Sequence, residues 1–471
     1  MDIINSRISI ELKSSALEES ITKEVERNEF TVELDQNEFP EGGRGWLVIL
    51  GCICCSLMTF GVINSYGAFQ TYYETDYFPN VPSMKLSIIG GCQPSIMYFL
   101  TPLSLPMIDV FGIRSLITFG SVLILVALFG LSTLKEGQLW KCYLFHAIIF
   151  PIGASFLFPA ILFSPIEWFK KKRATALGIS MSGVSLGGIF WPILIKHMVP
   201  KVGFQWSVRT MAFLFIPLSI GAITLTPQRL DEKFVHKPNT ISNSRFCKNK
   251  LRLLPSAYKV MIKNWITQTT ELRYDIMLFS NLLGMFGSYP AIFYQDLFGT
   301  LIAPGTVVSE YLLVIYNLFG LPGRIIPGII GDRIGRFNTL SICLLGAGTA
   351  ILGIWIPCIT VENIAAYGIY VACFGFCIAP LYSLFPACFA QMFGTQGSET
   401  RLGFFLFTST PGPILGCLIS GSFIPVDNSD TQKKIDAFRG LTAFCGSIII
   451  ASALVLLLVR FSTTRKLIIF I

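Results

Sequence analysis

Long apolar runs alternate with short polar ones along almost the whole chain. Twelve of these runs, 46–69, 86–108, 115–134, 140–163, 174–195, 207–227, 275–296, 308–330, 338–359, 364–388, 402–424 and 438–460, reach the roughly 20 residues needed to cross about 30 Å of hydrocarbon. Inside lipid each backbone N–H and C=O must be paired within its own segment, so each run is expected to be helical. The pattern predicts an all-α membrane protein of two six-helix halves, 46–227 and 274–460, joined by a polar linker at 228–273. The ends, 1–45 and 461–471, read as tails.

Composition sharpens this. Hydrophobic residues make up 52% of the chain and charged residues 14%, against about 25% charged in soluble domains. The net charge of +8 does not point to nucleic acid, because the basic residues sit between apolar runs. Ten Lys/Arg fall in 228–273 alone, which places that linker, and with it both termini, in the cytoplasm. The stretch reads as a plain linker between the halves, or else as a lipid-binding or regulatory segment. Residues 1–45 hold eleven Asp/Glu against five Lys/Arg and lack the basic start and early apolar stretch of a signal peptide. They read as a disordered cytoplasmic tail. Twelve of the 13 cysteines lie in or against apolar runs, Cys247 being the exception. They read as small packing residues, with no metal site and no cofactor expected.

A short motif recurs at the same place in each half. Asp109-Val110-Phe111-Gly112-Ile113-Arg114 follows the second run and Asp332-Arg333-Ile334-Gly335-Arg336 the eighth. Two parallel repeats of this kind are a transporter layout. The longer stretch from Gly328 through Asp332 to Arg336 resembles the G-x-x-x-D-R/K-x-G-R signature of the major facilitator superfamily. Glu41-Gly42-Gly43-Arg44-Gly45-Trp46 resembles the helix-one entry of monocarboxylate-porter-like carriers. Phe169 to Gly178, followed by Ser182-Gly183 and Gly187-Gly188, resembles a second signature of that family. Together with Gly323-Arg324 and Pro327-Gly328, the likeness is to its fungal branch and covers about 41–460.

The resemblance implies a major facilitator fold working by alternating access. In it, Asp109, Arg114, Asp332, Arg333 and Arg336 belong to gating loops, and Arg324 is the anion-binding residue of helix eight. The residues alone support that role for Arg324. A cation at membrane depth costs roughly 2.5–3.5 kcal/mol unless it borders a cavity or a partner, and a guanidinium fork matches a carboxylate. The plain alternative is pairing with backbone carbonyls or with Asp332. Asn64, Tyr66, Gln70, Asn281, Tyr289 and Asn317 are further candidates for a polar cavity, or else helix-to-helix hydrogen bonds. His146, the one histidine inside a span, suits a proton relay by its titration range, or simple packing.

The chain departs from proton-coupled animal members of that family. It has no lysine between Asn64 and Gln70, and Gly320 stands one turn before Arg324 where they carry an aspartate. Asp275, Asp296 and Glu310 lie near span ends. Proton coupling is therefore open, and nothing sets an oligomeric state. The expected function is transport of a small organic solute, a monocarboxylate-like anion or related metabolite, across the plasma membrane or, as a second site, a vacuolar one. A vitamin such as riboflavin is the alternative solute, and a non-transporting solute sensor is the alternative of another class. Neither a phosphate loop nor a nucleophile–base pair among the spans points to an enzyme.

Overall fold

The computed structural model describes residues 42–73, 83–135, 137–226, 271–393, 398–424 and 431–463, with scattered positions at 77–81 and 255–265. The expected tail over 1–41, nearly all of the basic linker, and 464–471 lie outside the described residues.

Ten helices among the described residues are long and apolar enough to cross a membrane. One of them, Arg173–Leu225, is two helices in sequence, since Gly203 (φ 79°, ψ 164°) breaks it. A further helix, Ser83–Phe111, is 29 residues long but less apolar, carrying Gln93 and three prolines. Twelve spans result. They are α1, Arg44–Met58 with short continuations Phe60–Ile63 and Tyr66–Tyr72; α2, Ser83–Phe111; α3, Ile113–Leu131; and α4, Leu139–Trp168. The α5–α6 pair occupies Arg173–Leu225. The second half comprises α7, Leu272–Ile302; α8, Leu312–Ile334; α9, Arg336–Val361; α10, Ile364–Phe393; α11, Arg401–Gly421; and α12, Gln432–Ser462. The start of α1 and the finish of α12 share one end of the bundle, here the terminal end; the other is the far end.

Interior prolines do not break these helices, as expected where neighbouring helices re-satisfy freed carbonyls. Residues facing outward are apolar. On α3, Phe119, Val122, Val126 and Phe129 are all exposed, a stripe at helical spacing, and Leu454, Leu458 and Phe461 do the same on α12. In a soluble protein such stripes would be interaction patches; here they face lipid.

The recurring Asp-x-x-Gly frame has a backbone cause. Gly112 (φ 80°) and Gly335 (φ 111°) each end one helix and adjoin the first residue of the next. Side chains avoid that region of φ. Within the first half, Gly61 on α1 meets Gly187 on α5, where an added Cβ at Gly61 would lie 2.9 Å from the Gly187 Cα. The two halves meet mainly where α5 runs against α8 and α2 against α11.

Candidate functional site

Between the halves lies a cavity of about 540 Å³, counting its mouth. Its lining comes from α1, α2, α4 and α5 of the first half and α7, α8, α10 and α11 of the second. None comes from α3, α6, α9 or α12. The wall is mostly apolar and aromatic: Phe60, Tyr98, Phe158, Tyr289, Tyr316, Tyr382 and Phe405 supply seven rings, with Met181 and Met285 among the aliphatic residues. Asn64 and Arg324 are its amide and its cation.

Arg324 sits near the middle of α8 and is only 2% exposed. Its Nε donates to Ser185 Oγ of α5 at 3.0 Å, which fixes the plane of the guanidinium. Its central carbon is 5.9 Å from the Tyr382 ring centroid, at the outer reach of a cation–π contact. Among the described residues no carboxylate comes within ion-pair distance, and neither Nη group has a hydrogen-bond acceptor. A buried cation normally has such a partner; here the cavity takes its place. Opposite, Tyr98 of α2 and Tyr289 of α7 share a hydroxyl–hydroxyl hydrogen bond of 2.9 Å across the two halves. Tyr382 donates to Ser288 Oγ at 3.0 Å.

The other residues singled out from the sequence divide. Asn64 and Tyr289 line the cavity beside Arg324. Tyr66, Gln70, Asn281 and Asn317 are not among its lining residues. Tyr66 donates to the Leu86 carbonyl of α2 at 2.5 Å. Gln70 is half-buried farther along α1. Asn281 donates to Ser409 Oγ of α11 at 2.6 Å. Asn317 donates to the Leu313 carbonyl at 2.8 Å and the Gly188 carbonyl of α5 at 3.4 Å. His146 lies away from the cavity in an aromatic nest of Tyr66, Phe69, Tyr73 and Phe150, with its Nδ1 3.1 Å from the Tyr73 hydroxyl.

The loop residues separate in the same way. Asp332, at the terminal end of α8, reaches across the halves to the first turn of α5. It accepts from the Ala174 and Thr175 backbone N–H groups at 3.2 and 2.8 Å and from Thr175 Oγ1 at 2.8 Å. Arg336 holds the same carboxylate through Nε and Nη2 at 2.9 and 2.8 Å and donates to the Lys170 carbonyl at 3.3 Å. A carboxylate at a helix N-terminus satisfies donors the helix leaves unpaired. Arg333 and Arg114 are exposed, and the side chain of Asp109 lies outside the described residues. Arg173 also crosses the seam, donating to the Ala390 carbonyl of α10 at 3.4 Å. At the far end Lys196 of α5 pairs with Glu310, just before α8, at 2.8 Å.

Sequence reasoning missed most of the wall. Tyr98, Tyr316 and Tyr382 were hidden among 15 tyrosines and 40 phenylalanines, and Ser185 looked like one more small residue. The distinguishing signal is tyrosine at membrane depth, since a buried hydroxyl needs a partner.

Comparison with known proteins agrees with this architecture. The chain is 28% identical to an MFS-type transporter of Aspergillus niger over 89% of its length and 88% of that protein's. It is 31% identical to the agnestins efflux protein of Paecilomyces divaricatus over 65% of this chain and 64% of that one. It is 26% identical to the riboflavin transporter of Saccharomyces cerevisiae, over 88% and 80%. Its fold matches the crystal structure of a peptide transporter with a TM-score of 0.61 at 12% identity, covering 90% of this chain and 96% of that one. The family model of the Major Facilitator Superfamily matches residues 48–417, and this multi-pass membrane protein belongs to that superfamily of transporters.

Proposed function

We propose that this protein carries an organic anion with an apolar, preferably aromatic, body, using Arg324 to hold its carboxylate and alternating access to move it. The observation that carries this reading is a cavity-lining guanidinium whose Nη donors have no protein acceptor among the described residues. A carboxylate laid against both would make two charge-assisted bonds and remove the cost of the unpaired cation. The seven surrounding rings favour a flat apolar body over a small polar one such as pyruvate. The resemblance to monocarboxylate-porter-like carriers supports the anion.

The loops fit a gate. Asp332 capping α5 and Arg173 reaching Ala390 hold the terminal end shut, and rocking of the halves would release both. Basic residues near that end favour a cytoplasmic position for the termini.

Purified protein in vesicles preloaded with phenylpyruvate should exchange labelled phenylpyruvate well and pyruvate poorly. Arg324→Ala should reduce exchange roughly 10- to 100-fold, the equivalent of losing charged hydrogen bonds of about 1.5–3 kcal/mol. Unchanged exchange in that variant overturns the anion role. Riboflavin is the second reading, favoured by the aromatic wall and by the yeast relative; its uptake would survive Arg324→Gln. Binding without exchange of either compound would make the protein a sensor.

A further inference from the structure

The stripes that line the cavity continue one turn beyond it. On α7, Met285, Tyr289 and Ile292 face the cavity, and Asp296 follows Ile292 by four residues on the same face. On α1, Phe60 and Asn64 are followed at the same helical spacing by Gly67; on α8, Tyr316 is preceded by Leu313. These three extensions meet. A Cβ placed on Gly67 would lie 3.3 Å from Asp296 Oδ2 and 3.8 Å from Leu313 Cδ2. Asp296 therefore sits in the far-end roof of the cavity, at the seam between the two halves.

Its Oδ1 is buried and has no hydrogen-bond partner, the one carboxylate oxygen among the described residues in that condition. No Lys, Arg or His is within ion-pair distance of it among those residues. The groups facing it are few. From α1 comes Gly67, with no side chain; from α8 comes Leu313. From α10 comes the Tyr367 phenol, whose hydroxyl donates to the Gln295 carbonyl. Glu310 and Lys196, nearer the far surface, pair with each other. The buried Oδ1 has no donor, and burying a carboxylate oxygen without a hydrogen-bond partner disfavours its charge.

We infer that Asp296 is the site of a transported proton, taken up when α1 and α7 part at the far end and carried as the neutral acid when they close. The inference rests on the anion reading of Arg324 for its partner charge. Empty and open to water, the carrier holds Arg324 positive and Asp296 negative. Loaded, a monoanion balances Arg324 and a proton balances Asp296. Both forms then have no net charge in the bundle, so one proton would move with one monoanion. The proton comes from water on one side, bonds to an Asp296 oxygen, and leaves to water on the other.

Two measurements test this. Infrared spectra of the full chain in lipid at neutral pH should show a protonated-carboxyl C=O band that Asp296→Asn removes; no such loss overturns the inference. In vesicles, a pH gradient should drive accumulation of phenylpyruvate by about tenfold per pH unit in the wild type. Asp296→Asn should abolish that accumulation while keeping exchange at equal pH, and Asp296→Glu should restore part of it. Gradient-driven accumulation persisting in Asp296→Asn, or exchange lost along with it in a folded variant, overturns the inference. A wild type that shows the carboxyl band but no phenylpyruvate flux supports the proton site and refutes the anion reading instead.

Discussion

Arg324 is held by a single short-range device. One nitrogen is spent on Ser185, which orients the group, while the outer face of the guanidinium stays available. That division has a consequence for Arg324→Lys. An ammonium retains the charge but loses the fork, so exchange of phenylpyruvate should weaken through KM more than through the folded yield of protein, read by solubilised, monodisperse recovery. The Tyr98–Tyr289 bond is the residue-scale contact that joins the halves at the cavity itself. Removing either hydroxyl with Tyr98→Phe or Tyr289→Phe keeps the ring and forfeits a hydrogen bond of about 0.5–1.5 kcal/mol. Each variant should change the exchange rate by a few-fold, and the double variant no more than the singles. Additive losses in the kinetics would show that the two hydroxyls act separately. Arg324 was legible in the sequence because charge in an apolar run is rare. Tyr98, Tyr316 and Tyr382 were not, because a phenol in a helix reads the same whether it meets a cavity, a neighbour or lipid.

At the scale of elements, α5 and α8 pack closely along a seam that runs to the terminal end. Gly178 lies against the Arg324 carbonyl, and a Cβ on Gly328 would lie 2.8 Å from the Ala174 carbonyl. The helices cross almost backbone to backbone, an approach small residues permit in membranes. Asp332 then caps α5 from the opposite half. Neutralising it by Asp332→Asn should cost the closed terminal end about 1 kcal/mol, by analogy with lost helix caps, and raise the open fraction roughly fivefold. In a cysteine-free background, Phe405→Cys in the cavity should then react faster with a membrane-impermeant maleimide applied from the terminal side. An unchanged rate would remove Asp332 from the gate. The Asp-x-x-Gly repeat was visible in the sequence because glycine is needed at the positive φ of Gly112 and Gly335. That its carboxylate in the second half would cap a helix of the first was not visible, since the two lie far apart in the chain.

For the molecule as a whole, twelve spans bring the start of α1 and the finish of α12 to one side of the bilayer. Epitope tags fused to the two ends should become accessible to antibody together, and only after the plasma membrane is permeabilised. A tag reached in intact cells would reverse the orientation inferred from the basic linker. The sequence by itself determined the helical spans and the membrane environment, because the cost of unpaired backbone in lipid acts within each segment and requires no knowledge of neighbours. The halves and the depth of Arg324 followed from the same periodic reading. Only the tertiary structure decided which polar groups meet. Asn64 and Tyr289 line the cavity while Asn281 bonds to Ser409 of α11 and Asn317 to the Gly188 carbonyl of α5, and Asp296, unremarkable near a span end, closes against Gly67 at the seam. Those outcomes depend on the rotation of each helix about its axis, which is set by packing against other helices rather than by any pattern within one.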